Sequence, residues 1–386
     1  MKFFKLLTRR AALRHAALTG AAALLVAMAG IAPTAATAQP APRPKVSLNI
    51  GYIDTSINGV GVIATANKLD LWAKHGIDVK LIPFTNGPTQ IQAMAAGSLD
   101  IGYVGGGAIW MPASGQAVII TPNEKTFGDF LLARPDSGIK TTQDLRGRKV
   151  GVPDSGSGEM ILTLALEAAG MSMKDIQRIP LDPPNVVSAF VAGQIDAAAI
   201  FSPLSDQIRG RLPGTVMVAN NKDFPKTEFT GAWVASKQAM AAKPEAVQRF
   251  LEVWQQVNDF RIKNPREVVA LAAAASGAPA AQLQGQADAL EWWPSSQILA
   301  DNKSGVTRQR FVAMQELFVK LGRIKTPVAP DAFINTELYN KAMESGKWAW
   351  LRQRRRRCAS QSWSRVLSPI STCVRCDMCA TTRLSC

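Results

Sequence analysis

IQAMAAGSLDIGYVG at residues 91–105 and VSAFVAGQIDAAAIF at residues 187–201 are two versions of one sentence, aligned without a gap 96 residues apart. Each copy has small and apolar residues at helical spacing, then Gly97 or Gly193, then Leu99-Asp100 or Ile195-Asp196, then a short apolar run. That order predicts a helix, a glycine C-cap and a buried strand. Two copies predict two similar α/β lobes. Ligands of open α/β sheets bind outside the carboxyl ends of the strands, so the repeat also predicts a cleft between the lobes.

Working outward, Val46, Leu48 and Ile50 alternate as a first strand, and residues 60–74 read as a helix stopped at Gly76. Ile77, Val79 and Leu81 form a second strand, and residues 117–120 a later one. Residues 127–134 read as extended and leaving the first lobe, and Val150-Gly151-Val152 starts a new set of strands. Residues 229–235 are expected to cross back. The expected division is therefore 39–126 with 231–350 as lobe 1 and 127–230 as lobe 2, joined by a two-segment hinge. From Lys243 to Trp350 the pattern reads as helices, packed mainly on lobe 1.

The two ends of the chain stand apart. Residues 1–38 carry Lys2, Lys5, Arg9, Arg10 and Arg14, an apolar stretch, then Ala36-Thr37-Ala38, the order of a cleaved secretory signal. Arg9-Arg10 also resembles a twin-arginine signal, leaving the export route open. Residues 351–386 hold Arg352, Arg354, Arg355, Arg356 and Arg357 and all five cysteines. Cys373, Cys376 and Cys379 have a spacing that thiolate metal sites use, but the abrupt change of composition favours a disordered or non-native tail without metal. Of 44 Lys and Arg and 29 Asp and Glu, these ends contain 13 and one, which leaves 31 against 28 in the body. The net +15 thus belongs mostly to the ends, and a nucleic-acid reading built on it fails.

Polar loops fall at the predicted strand ends, where helices begin. The candidate ligand-binding residues are Ser56, Asn58, Thr85, Asn86, Gly106, Gly107, Ser155, Ser157, Asn185 and Ser202. Helix N-termini present unsatisfied N–H groups and partial positive charge, so such loops suit a small oxyanion; Ser, Thr, Asn and Gly also start helices simply as caps. Among the aromatic residues near strand ends, Trp233 is taken as a cleft wall. His75 is the one histidine of the body and sits beside a helix end, which suits capping better than a catalytic triad. Asp100 and Asp196 occupy matching strand starts, far from the carboxyl ends, and read as structural. No glycine-rich nucleotide motif lies between a strand and a helix, so no cofactor and no enzymatic activity are expected.

Trp72-Ala73-Lys74-His75-Gly76-Ile77-Asp78-Val79 resembles a segment of the nitrate, sulfonate and taurine family of periplasmic binding proteins. Residues 95–102, 144–150 and 192–197 resemble further family segments in the same order. The resemblance implies a two-lobed type II periplasmic binding fold that captures a solute by hinge closure. It further implies a monomer in the periplasm that delivers the solute to the permease and ATPase of an ABC importer. Sulfonates and taurine come first as solute, nitrate or an aromatic anion next. The alternative is an exported or pyrimidine-pathway enzyme or binding protein on the same fold.

Overall fold

The structure, a computed structural model, describes residues 44–153 and 156–345. The signal segment 1–38, the 351–386 tail with its cysteines, and Ser155 lie outside the described residues. The strands in chain order are β1 (Val46–Ile53), β2 (Ile77–Phe84), β3 (Ile101–Val104), β4 (Val118–Thr126), β5 (Asp129–Ala133) and β6 (Lys149–Val152). They continue with β7 (Gln177–Pro180), β8 (Ala197–Phe201), β9 (Val216–Asn220), β10 (Thr230–Ala235) and β11 (Leu290–Glu291). The helices that matter below are α1 (Ile57–Lys68), α2 (Gly87–Ala95), α3 (Ser157–Ala168), α4 (Pro183–Val191), α5 (Leu204–Arg211), α6 (Pro244–Lys263), α7 (Ala280–Asp288) and α8 (Val306–Lys320).

Two sheets result, ordered β11-β4-β10-β3-β1-β2 and β7-β6-β8-β5-β9. Apart from β11 they follow one plan read from opposite ends. In each, three parallel strands are followed by an antiparallel one, β10 or β5, and then by the strand on its far side. Each antiparallel strand comes after the chain has passed from the other sheet, at residues 127–128 going out and 221–229 coming back.

The doubled sentence forms α2 and β3 in one sheet and α4 and β8 in the other. Gly97 and Gly193 stop the helices at φ +75° and +73°, a left-handed conformation that costs glycine nothing. Asp100 then clasps the neighbouring strand: its N–H donates to Asn49 O at 3.0 Å, and its Oδ2 accepts from Asn49 N at 2.9 Å. Asp196 does the same with Lys149, at 2.9 Å both ways. The paired aspartates thus fix strand register, and Asp100 also pairs with Lys243 Nζ at 2.8 Å.

Several segments differ from the sequence reading. The 60–74 helix begins earlier, at Ile57, and breaks at Asp70, whose φ is +52°. This turn lets Trp72 bury its ring while its Nε1 donates to Asn67 Oδ1 at 2.8 Å. Strand β4 runs to Thr126 rather than stopping at Ile120, because its pairing with β10 shifts register between Gly231 and Ala232 and again between Trp233 and Val234, and so accommodates Pro122 inside a strand. The region beyond Lys243 is not wholly helical: β11 pairs with β4, and Ile334 bridges to Ile119.

Side chains from both sheets share one apolar cluster, in which Val104, Ile109 and Phe311 meet Leu131, Val150 and Met160. A second cluster lies under α6, where Trp233, Phe250 and Trp254 are fully buried.

Candidate functional site

A cavity of about 870 Å³ lies where the carboxyl edges of the two sheets face each other. Its size is that of pockets for small organic ligands. Helices α1 to α5 all begin at its wall, through Ser56, Asn86, Gly156, Asp182 and Pro203. Each helix starts there because it follows a strand whose carboxyl end points at the cleft.

Local chemistry sets which of these starts are free. Asn86 Oδ1 is already used as a cap, accepting from Thr89 N at 3.0 Å, and its Nδ2 donates to Thr85 Oγ1 at 3.3 Å. Ile57 N donates to Gln286 Oε1 at 3.0 Å, so α7 rather than a solute satisfies the start of α1. Asn58 is buried and accepts from Trp292 Nε1 at 2.8 Å. Ser202 Oγ lies 3.1 Å from Ser205 Oγ and 3.1 Å from Asp206 Oδ2. Ser56 has no capping hydrogen bond from its side chain, and neither has the Gly156 start of α3.

At Gly107 the loop after β3 meets the start of α3 from the other sheet. A Cβ there would stand 2.5 Å from Ser157 N, so only glycine lets this loop touch the first turn of α3.

Of the sequence candidates, Ser56, Asn58, Thr85, Asn86, Gly106, Gly107, Ser157, Asn185 and Ser202 line the cavity. Trp233 does not. Its strand β10 is central and buried at every position, so the indole goes into the core, 5.2 Å from Phe250, with Nε1 donating to Asn123 Oδ1 at 3.1 Å. His75 lies away from the cavity, between Glu252 Oε2 at 3.1 Å and Gln256 Nε2 at 2.6 Å.

Two buried acids of the lining were absent from the sequence reading. Glu124 on β4 and Asp129 on β5 stand on either side of the first crossing, and both are 2% exposed. Tyr103 donates its hydroxyl hydrogen to Glu124 Oε1 at 2.7 Å, and Asn123 Nδ2 donates to Oε2 at 2.5 Å. Asp129 accepts from Asn221 Nδ2 at 3.1 Å, while its own N–H donates to Asn221 Oδ1 at 2.7 Å. Burial pushes Glu124 up to about 7, against the lowering influence of Tyr103, Asn123 and Arg261. It pushes Asp129 up to about 6, against Ser157 and Asn221. Tyr103 is held well above its ordinary value by burial and by Glu124. A signal for Glu124 was available in the sequence: Asn123-Glu124 follows an apolar strand run, where a charge is costly unless it has work to do.

Among the described residues, no Lys, Arg or His lines the cavity. Among the described residues, no group of three or more His, Cys, Asp or Glu side chains is placed to hold a metal ion.

Comparison with known proteins agrees with this architecture. Residues 58–268, more than half of the chain, match the family model described as NMT1/THI5 like. A protein of Brucella abortus named only as a binding protein is 41% identical over 286 residues, 74% of this chain and 89% of that one. An Escherichia coli K12 protein named for binding aliphatic sulfonates is 29% identical over 259 residues, 66% of this chain and 79% of that one. Among solved structures, the periplasmic aliphatic sulphonate binding protein from Escherichia coli superposes with TM-score 0.61 at 24% identity, covering 75% of this chain and 92% of that one. A desulfurization enzyme shares the fold at TM-score 0.58 and 16% identity, covering 78% of this chain and all of that one. The chain belongs to the NMT1/THI5-like family and has the two-sheet α/β fold of periplasmic binding proteins.

Proposed function

We propose that this protein is the solute-binding component of an ABC importer, exported to the periplasm, where it captures an organic anion between its lobes and presents it to a permease and ATPase. A sulfonate such as taurine is the first choice of solute, with aromatic anions and nitrate after it. One observation carries the reading: several helices from both sheets begin at one cavity that has no basic side chain among the described residues of its wall. Helix N-termini supply N–H donors and partial positive charge, and they hold an anion without a cation that would slow its release. The cavity volume supports an organic anion over nitrate alone. The relative named for sulfonates points the same way.

Closure is assigned to the two crossings. Phe127 on the first is covered by Lys125 and Lys222, at 5.3 and 5.7 Å from the ring centroid, so both crossings meet around one aromatic ring. Rotation there moves two sheets as bodies, a common route of ligand-driven closure.

Thermal unfolding with taurine, alkanesulfonates, aromatic carboxylates and nitrate tests the proposal. A solute at 100 times its Kd stabilises by about 2.7 kcal/mol. Absence of any shift across these anions rejects the anion assignment. The enzymatic alternative predicts turnover of the solute instead.

A further inference from the structure

The floor of the cavity is acidic, although the solute proposed for it is an anion. Asp182 is exposed and shielded by water, but Glu124 and Asp129 are buried. A buried carboxylate is unfavourable unless donors or a cation compensate it. Glu124 receives one hydrogen bond on each oxygen, from Tyr103 and Asn123, which leaves acceptor capacity on both. Among the described residues it makes no ion pair. Arg261 compensates it only through space: its guanidinium donates to Asn123 O at 2.7 Å and to Asn258 Oδ1 at 2.8 Å, lies against the rings of Trp254 and Trp292, and keeps Nη1 without a hydrogen-bond partner among the described residues.

The backbone is shaped to keep this carboxylate in place. A Cβ on Gly231 would stand 2.1 Å from Glu124 Oε1 and 3.0 Å from the Tyr103 hydroxyl. Glycine on the central strand β10 therefore makes room for an acid that costs stability.

We propose that the solute is a zwitterion, and that Glu124 receives its positively charged, hydrogen-bond-donating nitrogen while the helix starts hold its anionic group. The anionic half rests on the function proposed above; the cationic half rests on Glu124. A purely anionic solute would bring a further negative charge to a floor with two acids and no cation among the described residues of its wall. An ammonium or similar group supplies the missing charge and fills the free acceptor sites. The groups facing Glu124 are Tyr103 from β3 and Arg261 from α6, with Asn123 beside it; Ser157 from α3 and Asn221 from the second crossing face Asp129. Burial keeps Glu124 partly protonated near pH 7, so capture of a cation at that pH releases a proton.

Calorimetric titration of the protein with matched solutes tests this: taurine against ethanesulfonate, 3-aminopropanesulfonate against 1-propanesulfonate, and propylamine as the amine alone. At pH 8 each amino compound should bind at least tenfold more tightly than its amine-free partner. The gap should close to under threefold in Glu124→Gln, and in the unaltered protein below pH 6. Proton release, read from the buffer dependence of the heat at pH 7, should accompany the amino compounds only, and this needs no variant. Equal binding within each pair, or a gap unchanged in Glu124→Gln or at low pH, overturns the proposal. Propylamine binding where no sulfonate binds overturns the anionic half and spares Glu124. If no probe binds, both halves fall.

Discussion

Two pairs of carboxylates sit at opposite ends of the sheets and do opposite work. Asp100 and Asp196 lie at the amino ends, inside the repeated sentence, and each spends itself on the backbone of the adjacent strand. Glu124 and Asp129 lie at the cleft, outside the repeat, and are buried with capacity to spare. The first pair lowers the free energy of the fold, whereas the second raises it. What is duplicated is scaffold, and what differs between the halves is the chemistry.

The largest effect that can break this contrast is on pH. Both cleft acids have folded pKa values above their ordinary ones, so the native state binds protons more tightly than the unfolded chain. Stability should therefore be full near pH 4 and fall as pH rises through about 6 and 7, by up to roughly 1.4 kcal/mol per pH unit for each ionising acid. Urea unfolding of the ligand-free protein at pH 5 and pH 8 measures it. Glu124→Gln should remove the part of the slope above pH 6.

Next comes Gly231→Ala, which drives a methyl group into Glu124 and Tyr103. Overpacking of this kind costs about 1–3 kcal/mol, and the solute-induced thermal shift should go with it. A variant that keeps both stability and shift would show that the floor is not held as described.

Asp100→Ala should cost about 1–2 kcal/mol, from the lost clasp and an unpaired Lys243, with solute affinity unchanged within twofold. Asp196→Ala should cost less, since no lysine depends on it. Gly107→Ala sharpens the comparison from the cleft side: its methyl group cannot coexist with the backbone of the first turn of α3, so affinity should fall about tenfold by titration and stability by about 1–3 kcal/mol. His75→Ala should be the smallest, within about 0.5 kcal/mol and without effect on binding.

The sequence made the scaffold readable because periodicity and glycine report local geometry directly. Gly97, Gly193 and the apolar runs after them carry their own instructions. The loops were readable for the same reason, since a residue that starts a helix after a strand must lie near the carboxyl edge. Trp233 was misplaced because its position depends on what covers β10, and α6, which does so, begins later in the chain than β10 itself. Glu124 went unread because Pro122 and Lys125 imitate the end of a strand, and only the shifted pairing with β10 shows that the strand continues. Its meaning also depends on Tyr103 and Gly231, which the sequence leaves far apart.

The exchange of antiparallel strands has a consequence for the order in which the molecule can be built. The second sheet is drawn from residues 129–220 alone, so it can be completed as soon as that stretch is available. The first sheet needs β10 in its middle, between β3 and β4, and must wait for Ala235. In vectorial synthesis or translocation, the half that begins first is therefore finished last. Until then the edges of β3 and β4 stay open, and they are the part of the growing chain most exposed to mispairing.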